Sequence, residues 1–377
     1  MKTVTRKERL TRQTLLQEID AIPSIGGWML STRNLAAMAG LTEEAYLANH
    51  EQGFVKANRA LGVDGIVSSP IMPDKPDIVR TGSLTEAHFA DRAPEEVLRD
   101  AEKLPDDPNE LLKDFNAEAV RHEFIDRFRW LRELCGDMEP IPNFWEFGGG
   151  FSLYFTYGYV AFLEACALYP EAVEKIWRSQ NIVRRERAAV LAALYKELDL
   201  VPLLFCGDDI CDNNGPMVSP AMLHQRYFPH VKAVAEPFVE AGIRMIYHCD
   251  GDVKPLLQDC LDAGYSGFQG FQYECDIDVA ALRKLTPTLG EKPLFFGGLS
   301  VSRTLPFGTP DDVRREVDYL VDATDGGRGL FLFTSNVTGL EVPAENIAAG
   351  YRHVKTRAPG ALSSPPVTRW PSVAPRL

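Results

Sequence analysis

Residues 294–323 read LFFGGLSVSRTLPFGTPDDVRREVDYLVDA, and this stretch holds one complete strand-then-helix unit. The apolar run Leu294-Phe295-Phe296 has the length and composition of a buried strand. Thr309 then precedes Pro310 and two acidic residues, which is the usual signature of a helix N-terminus. A helix from about Pro310 to Ala323 completes the unit.

The same alternation recurs on both sides of this stretch. Four further apolar runs precede helical segments, at 203–206, 245–247, 267–271 and 330–333. Five such units indicate parallel strands with right-handed crossovers. With three weaker strand candidates, at 22–30, 65–68 and 143–147, they predict an α/β fold, a TIM-type (β/α)8 barrel with N-terminal helical additions. A doubly wound open sheet is the alternative, but the chain lacks the Gly-x-Gly-x-x-Gly turn that often follows its first strand.

The composition excludes several classes of function. The net charge of −13, from 53 acidic and 40 basic residues, argues against a nucleic-acid partner. No apolar run is long enough to cross a membrane. The basic N-terminus is not followed by an apolar signal segment, so we expect a cytoplasmic location. The seven cysteines have no CxxC spacing and predict reduced thiols that mostly fill the core.

Polar residues follow the predicted strands at the point where each strand ends. In a barrel these ends share one rim, which is where active sites of this fold lie. Glycines end the strand that begins at Leu294 and leave space for a ligand or for backbone contacts. The residues concerned are Glu146, Asp208, Asp209, His248, Asp250, Gln272, Glu274, Gly297, Gly298, Ser335 and Asn336.

Each of these residues also has an ordinary structural explanation. Asp208 alone is as well explained as a helix cap, and Asp250 as a stabiliser of the turn at Gly251. The convergence of several carboxylates and His248 on one rim favours function. Such a set can hold a divalent cation, or it can exchange protons with a substrate. Spacing alone does not choose between these two uses.

At these residues the chain resembles the uroporphyrinogen decarboxylase (URO-D) superfamily. The resemblance covers roughly residues 5–355 and is strongest after Pro202. Separately its motifs are weak, and their order and spacing together are specific. They are Asp208-Asp209-Ile210 with 215–220, Tyr247-His248-Cys249-Asp250-Gly251, Phe296-Gly297-Gly298-Leu299 with Gly308-Thr309-Pro310, and Val342-Pro343-Ala344-Glu345-Asn346-Ile347.

The resemblance implies a TIM-type barrel but leaves the reaction open. Uroporphyrinogen decarboxylases hold their substrate's carboxylates with an arginine-rich N-terminal segment, and here residues 22–30 contain no arginine. The superfamily also contains corrinoid-dependent methyltransferases, which bind zinc through a histidine and two cysteines. His248 matches the histidine, whereas Asp250 and Asn336 stand at the two cysteine positions. Cys249 is one residue out of register and is expected to pack inward. Without these cysteines, we expect either a divalent metal site with nitrogen and oxygen ligands or a metal-free acid–base site, instead of a zinc site with thiolate ligands.

The leading hypothesis is a methyltransferase that moves a methyl group between a small-molecule substrate and a corrinoid carried by a partner protein. A decarboxylase or lyase that uses the strand-end aspartates is the second hypothesis, and a non-catalytic binding barrel is the third. We expect one domain over residues 1–357, an extended tail over 358–377, and a homodimer as the default assembly. The predicted catalytic residues are Asp208, Asp209 and His248, the metal ligands His248, Asp250 and Glu274, and the substrate-binding residues Glu146, Gln272, Gly297, Gly298 and Asn336.

Overall fold

The computed structural model describes residues 4–77, 92–270, 272–371 and 373. The described chain has a mixed α/β fold in which eight parallel strands alternate with helices, and a short antiparallel hairpin, β5–β6, follows the fourth strand. The strands are β1 Ile25–Trp28, β2 Gly65–Ile71, β3 Glu139–Ile141, β4 Leu203–Gly207, β5 Cys211–Asp212, β6 Gly215–Pro216, β7 Arg244–His248, β8 Tyr265–Gln269, β9 Leu294–Leu299 and β10 Leu330–Thr334.

The helices precede, connect and follow these strands. None within the described ranges combines the length and the hydrophobicity that a membrane crossing requires. They are α1 Arg6–Thr14, α2 Thr32–Ala39, α3 Glu43–Ala48, α4 His50–Ala60, α5 Pro94–Lys103, α6 Pro108–Leu112, α7 Ala117–Cys135, α8 Tyr154–Tyr157, α9 Tyr159–Leu168, α10 Pro170–Glu197, α11 Pro220–Met222, α12 Phe228–Glu240, α13 Leu257–Asp262, α14 Val279–Leu282, α15 Thr304–Phe307, α16 Pro310–Ala323 and α17 Ala344–Val354.

The parallel strands form two ladders. One is three-stranded, in the order β1-β2-β3, and the other is a curled five-stranded sheet, in the order β10-β9-β8-β7-β4. Isolated parallel bridges connect the ladders on both sides, Ser24 to Leu332 and Asn143 to Phe205. The predicted α/β class with parallel strands is confirmed, and the eight strands are present as two bridged ladders instead of one continuous sheet.

Side chains of both ladders share an inner core. In β4, Leu203 and Phe205 belong to the inner cluster, and Leu204 and Cys206 face the helices, as the two-residue period of a strand requires. Ile25, Val67, Ile141, Ile246, Phe296, Phe331 and Phe333 complete much of this inner cluster. Because its members come from strands of both ladders, the two ladders enclose a single hydrophobic core.

Local sequence signals explain where the helices begin. α16 begins with a capping box, in which the Thr309 side chain accepts from the Asp312 amide while Asp312 accepts from the Thr309 amide. Ser219 caps α11 by accepting a hydrogen bond from the Met222 amide. A π-helical turn, Leu223–Tyr227, then lies between α11 and α12.

Three sequence predictions about strands are wrong in detail. The candidate at 143–147 is not a strand: β3 lies at Glu139–Ile141, and Trp145–Gly148 forms a 3-10 turn. Pro140 lies inside β3, although a residue without an N–H donor is uncommon in a strand interior. β8 ends at Gln269, so Gln272 and Glu274 lie beyond the strand end. β9 continues to Leu299, so Gly297 and Gly298 lie inside a strand instead of ending it.

The described part of the C-terminal tail packs on the body of the molecule. The amides of Ser363 and Val367 donate to the Asp322 carboxylate, at 2.9 and 2.7 Å. Trp370 stacks on Tyr273, with 4.5 Å between ring centroids, and its indole N–H donates to Glu316 at 2.9 Å. These contacts fix the tail against α16 and against the loop that follows β8.

Candidate functional site

A cavity of about 660 Å³ opens at the carboxyl ends of the parallel strands. Its size falls in the range typical of sites for small organic ligands. Residues from both ladders, from α8, from α10 and from the connecting loops line it: Trp28, Ser69, Ile71, Trp145, Glu146, Gly150, Ser152, Leu153, Phe155, Thr156, Gln180, Arg184, Gly207, Asp208, Asp209, His248, Asp250, Asn336 and Val337.

Three potential metal ligands meet at one edge of this cavity. His248 is the last residue of β7, and its Nε2 lies 3.5 Å from Asp209 Oδ1 and 3.9 Å from Asp250 Oδ1. All three groups can place a ligand atom within 4.8 Å of the others. The turn at Gly251, where φ is +81°, allows Asp250 to face the same side as His248.

The orientation of His248 is fixed by Gln269, the last residue of β8. The Gln269 amide nitrogen donates to the carbonyls of Thr334 and Ser335, both at 2.9 Å. The amide oxygen therefore faces His248 Nδ1, with which it forms a short hydrogen bond. Since an amide oxygen can only accept, Nδ1 carries a proton, and Nε2 faces the two carboxylates.

This donor set fits a divalent cation. Ligand atoms bonded at about 2.1 Å in a tetrahedral site lie roughly 3.4 Å apart, close to the separations between His248 Nε2 and the two carboxylates. A histidine with its second nitrogen held by a hydrogen-bond acceptor is the usual arrangement at metal centres. One nitrogen and two carboxylate oxygens make a harder ligand set than one histidine with two cysteine thiolates.

Asp250 and Asn336, the two positions at which the resemblance implies cysteines in a corrinoid-dependent methyltransferase, are also adjacent here. Asn336 Nδ2 donates to Asp250 Oδ2 at 2.6 Å, and burial raises the pKa of Asp250. Cys249 is buried, and its thiol donates to the Asp250 carbonyl at 3.0 Å, as expected of a residue that packs inward. All seven cysteines are free and buried, which confirms the prediction of reduced core thiols.

Asp208 differs sharply from its neighbour Asp209 in environment. Asp208 is buried and accepts hydrogen bonds from the Phe151 amide, at 2.5 Å, and from the Ser152 hydroxyl. Burial raises its pKa to about 6, against the lowering effect of the Ser152 hydrogen bond. A carboxyl with such a pKa can hold a proton or release one near neutral pH.

Aromatic rings form one wall of the cavity beside His248. Trp28 and Trp145 stack, with their ring centroids 5.7 Å apart, and both present a ring to the edge of the imidazole at 5.9 and 5.3 Å. Phe205 packs beneath them. Trp145 remains 41% exposed and so offers a face to a ligand.

The remaining predicted site residues divide into two groups. Glu146 lines the cavity and forms an ion pair with Arg187, with Nε 2.6 Å from Oε2. Gln272 accepts from the Gly251 amide, and Glu274 accepts from the Ser302 hydroxyl at 2.6 Å. Neither Gln272 nor Glu274 is among the described residues that line the cavity, and the same holds for Gly297 and Gly298, which pair with β10.

Sequence reasoning missed several residues that line or support the cavity. The predicted strand at 267–271 places Gln269 in its middle, whereas β8 ends at this residue. Gln180 and Arg184 belong to a charged helical segment that is typical of a solvated helix face. A strand boundary set two residues earlier would have identified Gln269, whereas no local signal distinguishes Arg184 from its neighbours Arg185 and Arg187.

Comparison with known proteins agrees with this geometry. Residues 208–357 match the family model described as uroporphyrinogen decarboxylase (URO-D). A solved structure, a methyltransferase from Methanosarcina mazei, superposes with a TM-score of 0.60 at 16% sequence identity, and the match covers 94% of this chain and 99% of the other. No curated protein sequence gives a significant match. The predicted resemblance is confirmed over residues 208–357, the segment that matches the uroporphyrinogen decarboxylase (URO-D) family model.

Proposed function

We propose that this protein is a methyltransferase that moves a methyl group between a small organic substrate and a corrinoid carried by a separate protein. The observation that carries the proposal is the grouping of Asp209, His248 and Asp250 in a ligand-sized cavity of a URO-D-type fold. The fold shared with a structure named as a methyltransferase supports the same class of reaction. The absence of arginines from residues 22–30 argues against a substrate with many carboxylates.

Within this proposal the three ligands hold a divalent cation, zinc or a harder metal. When bound, the cation supplies Lewis acidity to a substrate heteroatom. Gln269 keeps His248 in the tautomer that presents Nε2 to the cavity, and Asn336 orients the Asp250 carboxylate. Asp208 exchanges a proton with the departing or entering group, while the Trp28–Trp145 wall excludes water from one side.

We further propose that the two bridged ladders act as a closed (β/α)8 barrel, and that residues 1–357 form a single domain. Strands of both ladders contribute to the same inner core, and bridges join both pairs of edge strands. Closure of this kind brings all the strand ends to one rim, which explains why residues as distant in sequence as Trp28 and Asn336 line one cavity.

A decarboxylase or lyase that uses no metal is the second candidate function. The observation that favours it is Asp208, a buried carboxyl whose pKa is raised to about 6 beside the substrate cavity. On this alternative Asp208 delivers the proton and His248 only positions the substrate.

The test is methylation of free cob(I)alamin by the purified protein, with Zn²⁺ supplied and a set of methoxy, methylthio and methylamino compounds as donors. We expect the absorption spectrum of methylcobalamin to appear with at least one donor class, and His248→Ala to abolish it. His224→Ala is the matched control, because that histidine is exposed and pairs with Asp259 away from the cavity. Failure of every donor class, together with release of CO2 from carboxylated compounds that does not depend on metal, would support the decarboxylase instead.

A further inference from the structure

Arg184 is held at the wall of the cavity by the glycine-rich loop that follows β3. Its Nη1 donates to the Gly149 carbonyl at 3.0 Å and to Asn181 Oδ1 at 3.3 Å. A side chain at Gly150 would collide with the guanidinium, since a Cβ built there lies 1.9 Å from Nη1. Gly150 also has a φ of +75°, which other residues rarely adopt. The loop therefore leaves space for the Arg184 guanidinium and fixes its orientation.

The guanidinium lacks an anionic partner within the described part of the chain. No ion pair joins it to a carboxylate, and burial lowers its pKa, while the charge of Asp208 acts in the opposite direction from beyond hydrogen-bond range. By contrast Arg187, one turn along α10, forms ion pairs with Glu123 and Glu146. A partly buried cation that faces a cavity and has no counter-ion is a site suited to an anion.

A second polar group lies one turn before Arg184 on the same helix. Gln180 lines the cavity, and its Oε1 is buried and accepts no hydrogen bond from the described residues. Leu153, Phe155 and Thr156 lie in the same lining. The cavity lining thus offers one cation, one unused hydrogen-bond acceptor and apolar surface.

We propose that Arg184 binds a single carboxylate of the substrate, with Gln180 beside it accepting a hydrogen bond from a neighbouring hydroxyl or N–H group of the same molecule. The planar guanidinium can pair with a carboxylate through two parallel hydrogen bonds. This assignment rests on the proposed function only in that the bound molecule is the methyl donor or acceptor.

The charges of the lining limit the ligand to one anionic group. Arg184 is the only lysine or arginine among the described lining residues, whereas Glu146, Asp208, Asp209 and Asp250 are carboxylates. A dianion such as a phosphate monoester, or a molecule with several carboxylates, would meet net repulsion. The substrate class is therefore a small monocarboxylate whose apolar or aromatic body lies against Trp145 and Phe155.

The test is binding to the metal-free protein, measured by calorimetry with a set of monocarboxylates that includes benzoate, 4-methoxybenzoate and short alkanoates. Each is compared with its neutral amide. In the wild-type protein we expect at least one carboxylate to bind roughly 10-fold or more tightly than its amide. Arg184→Gln should remove that preference, and Arg185→Gln, an exposed neighbour that pairs with Glu236, should retain it.

Gln180→Glu provides a second variant that preserves side-chain size. The new carboxylate beside Arg184 should compete with the ligand and weaken carboxylate binding about 10-fold, with little effect on the amides. The proposal is overturned if no carboxylate is preferred over its amide by the wild-type protein, or if both substitutions leave the preference unchanged. Binding is measured without metal or corrinoid, so a preference for carboxylates can be observed even if the protein does not transfer methyl groups. The experiment therefore tests carboxylate binding by Arg184 independently of the proposed methyltransferase activity.

Discussion

At the scale of single residues, Gln269 fixes the orientation of His248. Its Nδ1 faces Gln269, whose own orientation is fixed by two backbone carbonyls. The amide nitrogen of Gln269 donates to these carbonyls, so its amide oxygen must face His248 Nδ1. This single amide orientation fixes the tautomer of the histidine. Gln269 therefore acts through His248 and is a positioning residue.

Replacement of Gln269 by leucine should weaken divalent metal binding about 10- to 100-fold, because His248 loses the acceptor that fixes its tautomer. The measurement is competition with a chromogenic chelator, combined with the ¹⁵N chemical shifts of the imidazole, which report the tautomer. Gln258→Leu is the control, since Gln258 is exposed and bonds only to Asp262 among the described residues. A variant that keeps both its metal affinity and its Nδ1–H tautomer would contradict this role.

Cysteines substituted at positions 250 and 336 should provide thiolate ligands to a metal ion bound at His248. The two side chains are in hydrogen-bond contact, so both can reach the same point near His248. The double variant Asp250→Cys with Asn336→Cys should bind Co²⁺ with an intense thiolate-to-cobalt charge-transfer band near the ultraviolet. The wild-type protein should bind Co²⁺ without that band, and its appearance in the wild type would show that Cys249 is a ligand.

At the scale of elements, the position of each strand end determines which polar residues reach the cavity. The sequence predicted all five strand-then-helix units after residue 200, and α16 occupies the predicted Pro310–Ala323. Strand ends were predicted less well. Gly297 and Gly298 remain paired inside β9, and β8 ends at Gln269 although the strand-like sequence pattern extends to residue 271. This shift of two or three residues separates Gln272, Glu274, Gly297 and Gly298 from the cavity that Asp208, Asp209, His248, Asp250 and Asn336 line.

Residues that reach the cavity from helices could not be predicted from sequence patterns alone. Arg184 and Gln180 lie midway along the 28-residue helix α10, whose charged positions mostly face solvent or other acidic groups. Their part in the cavity depends on the path of the loop at Gly148–Gly150, which only the three-dimensional structure provides.

The contact between the tail and α16 predicts a pH-dependent stability. Glu316 is fully buried, and burial raises its pKa to about 8 from an ordinary value of 4.5. Between these two values the folded protein holds a proton that the unfolded chain has released. The free energy of unfolding should therefore fall as the pH rises through this window, and the contribution is fully present only below pH 4.5.

The substitution Glu316→Gln should remove this dependence, because the amide is neutral at every pH. We expect the variant to be about 3–5 kcal/mol more stable than the wild type at pH 9, and to differ much less at pH 5. Urea unfolding curves at the two pH values measure the difference. Equal slopes of stability against pH in the two proteins would show that Glu316 is ionised throughout.

At the scale of the whole molecule, closure of the two ladders is the structural claim with the widest consequences. The Leu332 amide donates to the Pro23 carbonyl at 2.9 Å, and the Phe205 amide donates to the Pro142 carbonyl at 2.8 Å. These bonds join the ladders on opposite sides. We expect both amides to exchange with D2O as slowly as that of Phe268 in the middle of the five-stranded sheet. Exchange faster by several orders of magnitude at either amide would indicate an open sheet.

The central claim is that Asp209, His248 and Asp250 together bind a divalent metal, and anomalous diffraction tests it most directly. Crystals soaked in Zn²⁺ and measured on both sides of the zinc absorption edge should give a strong anomalous peak between His248 Nε2 and the two carboxylates. Bond lengths of about 2.0–2.2 Å to all three residues are the predicted result. The account would be contradicted by a peak only at other sites, such as the exposed His224–Asp259 pair, with none beside His248.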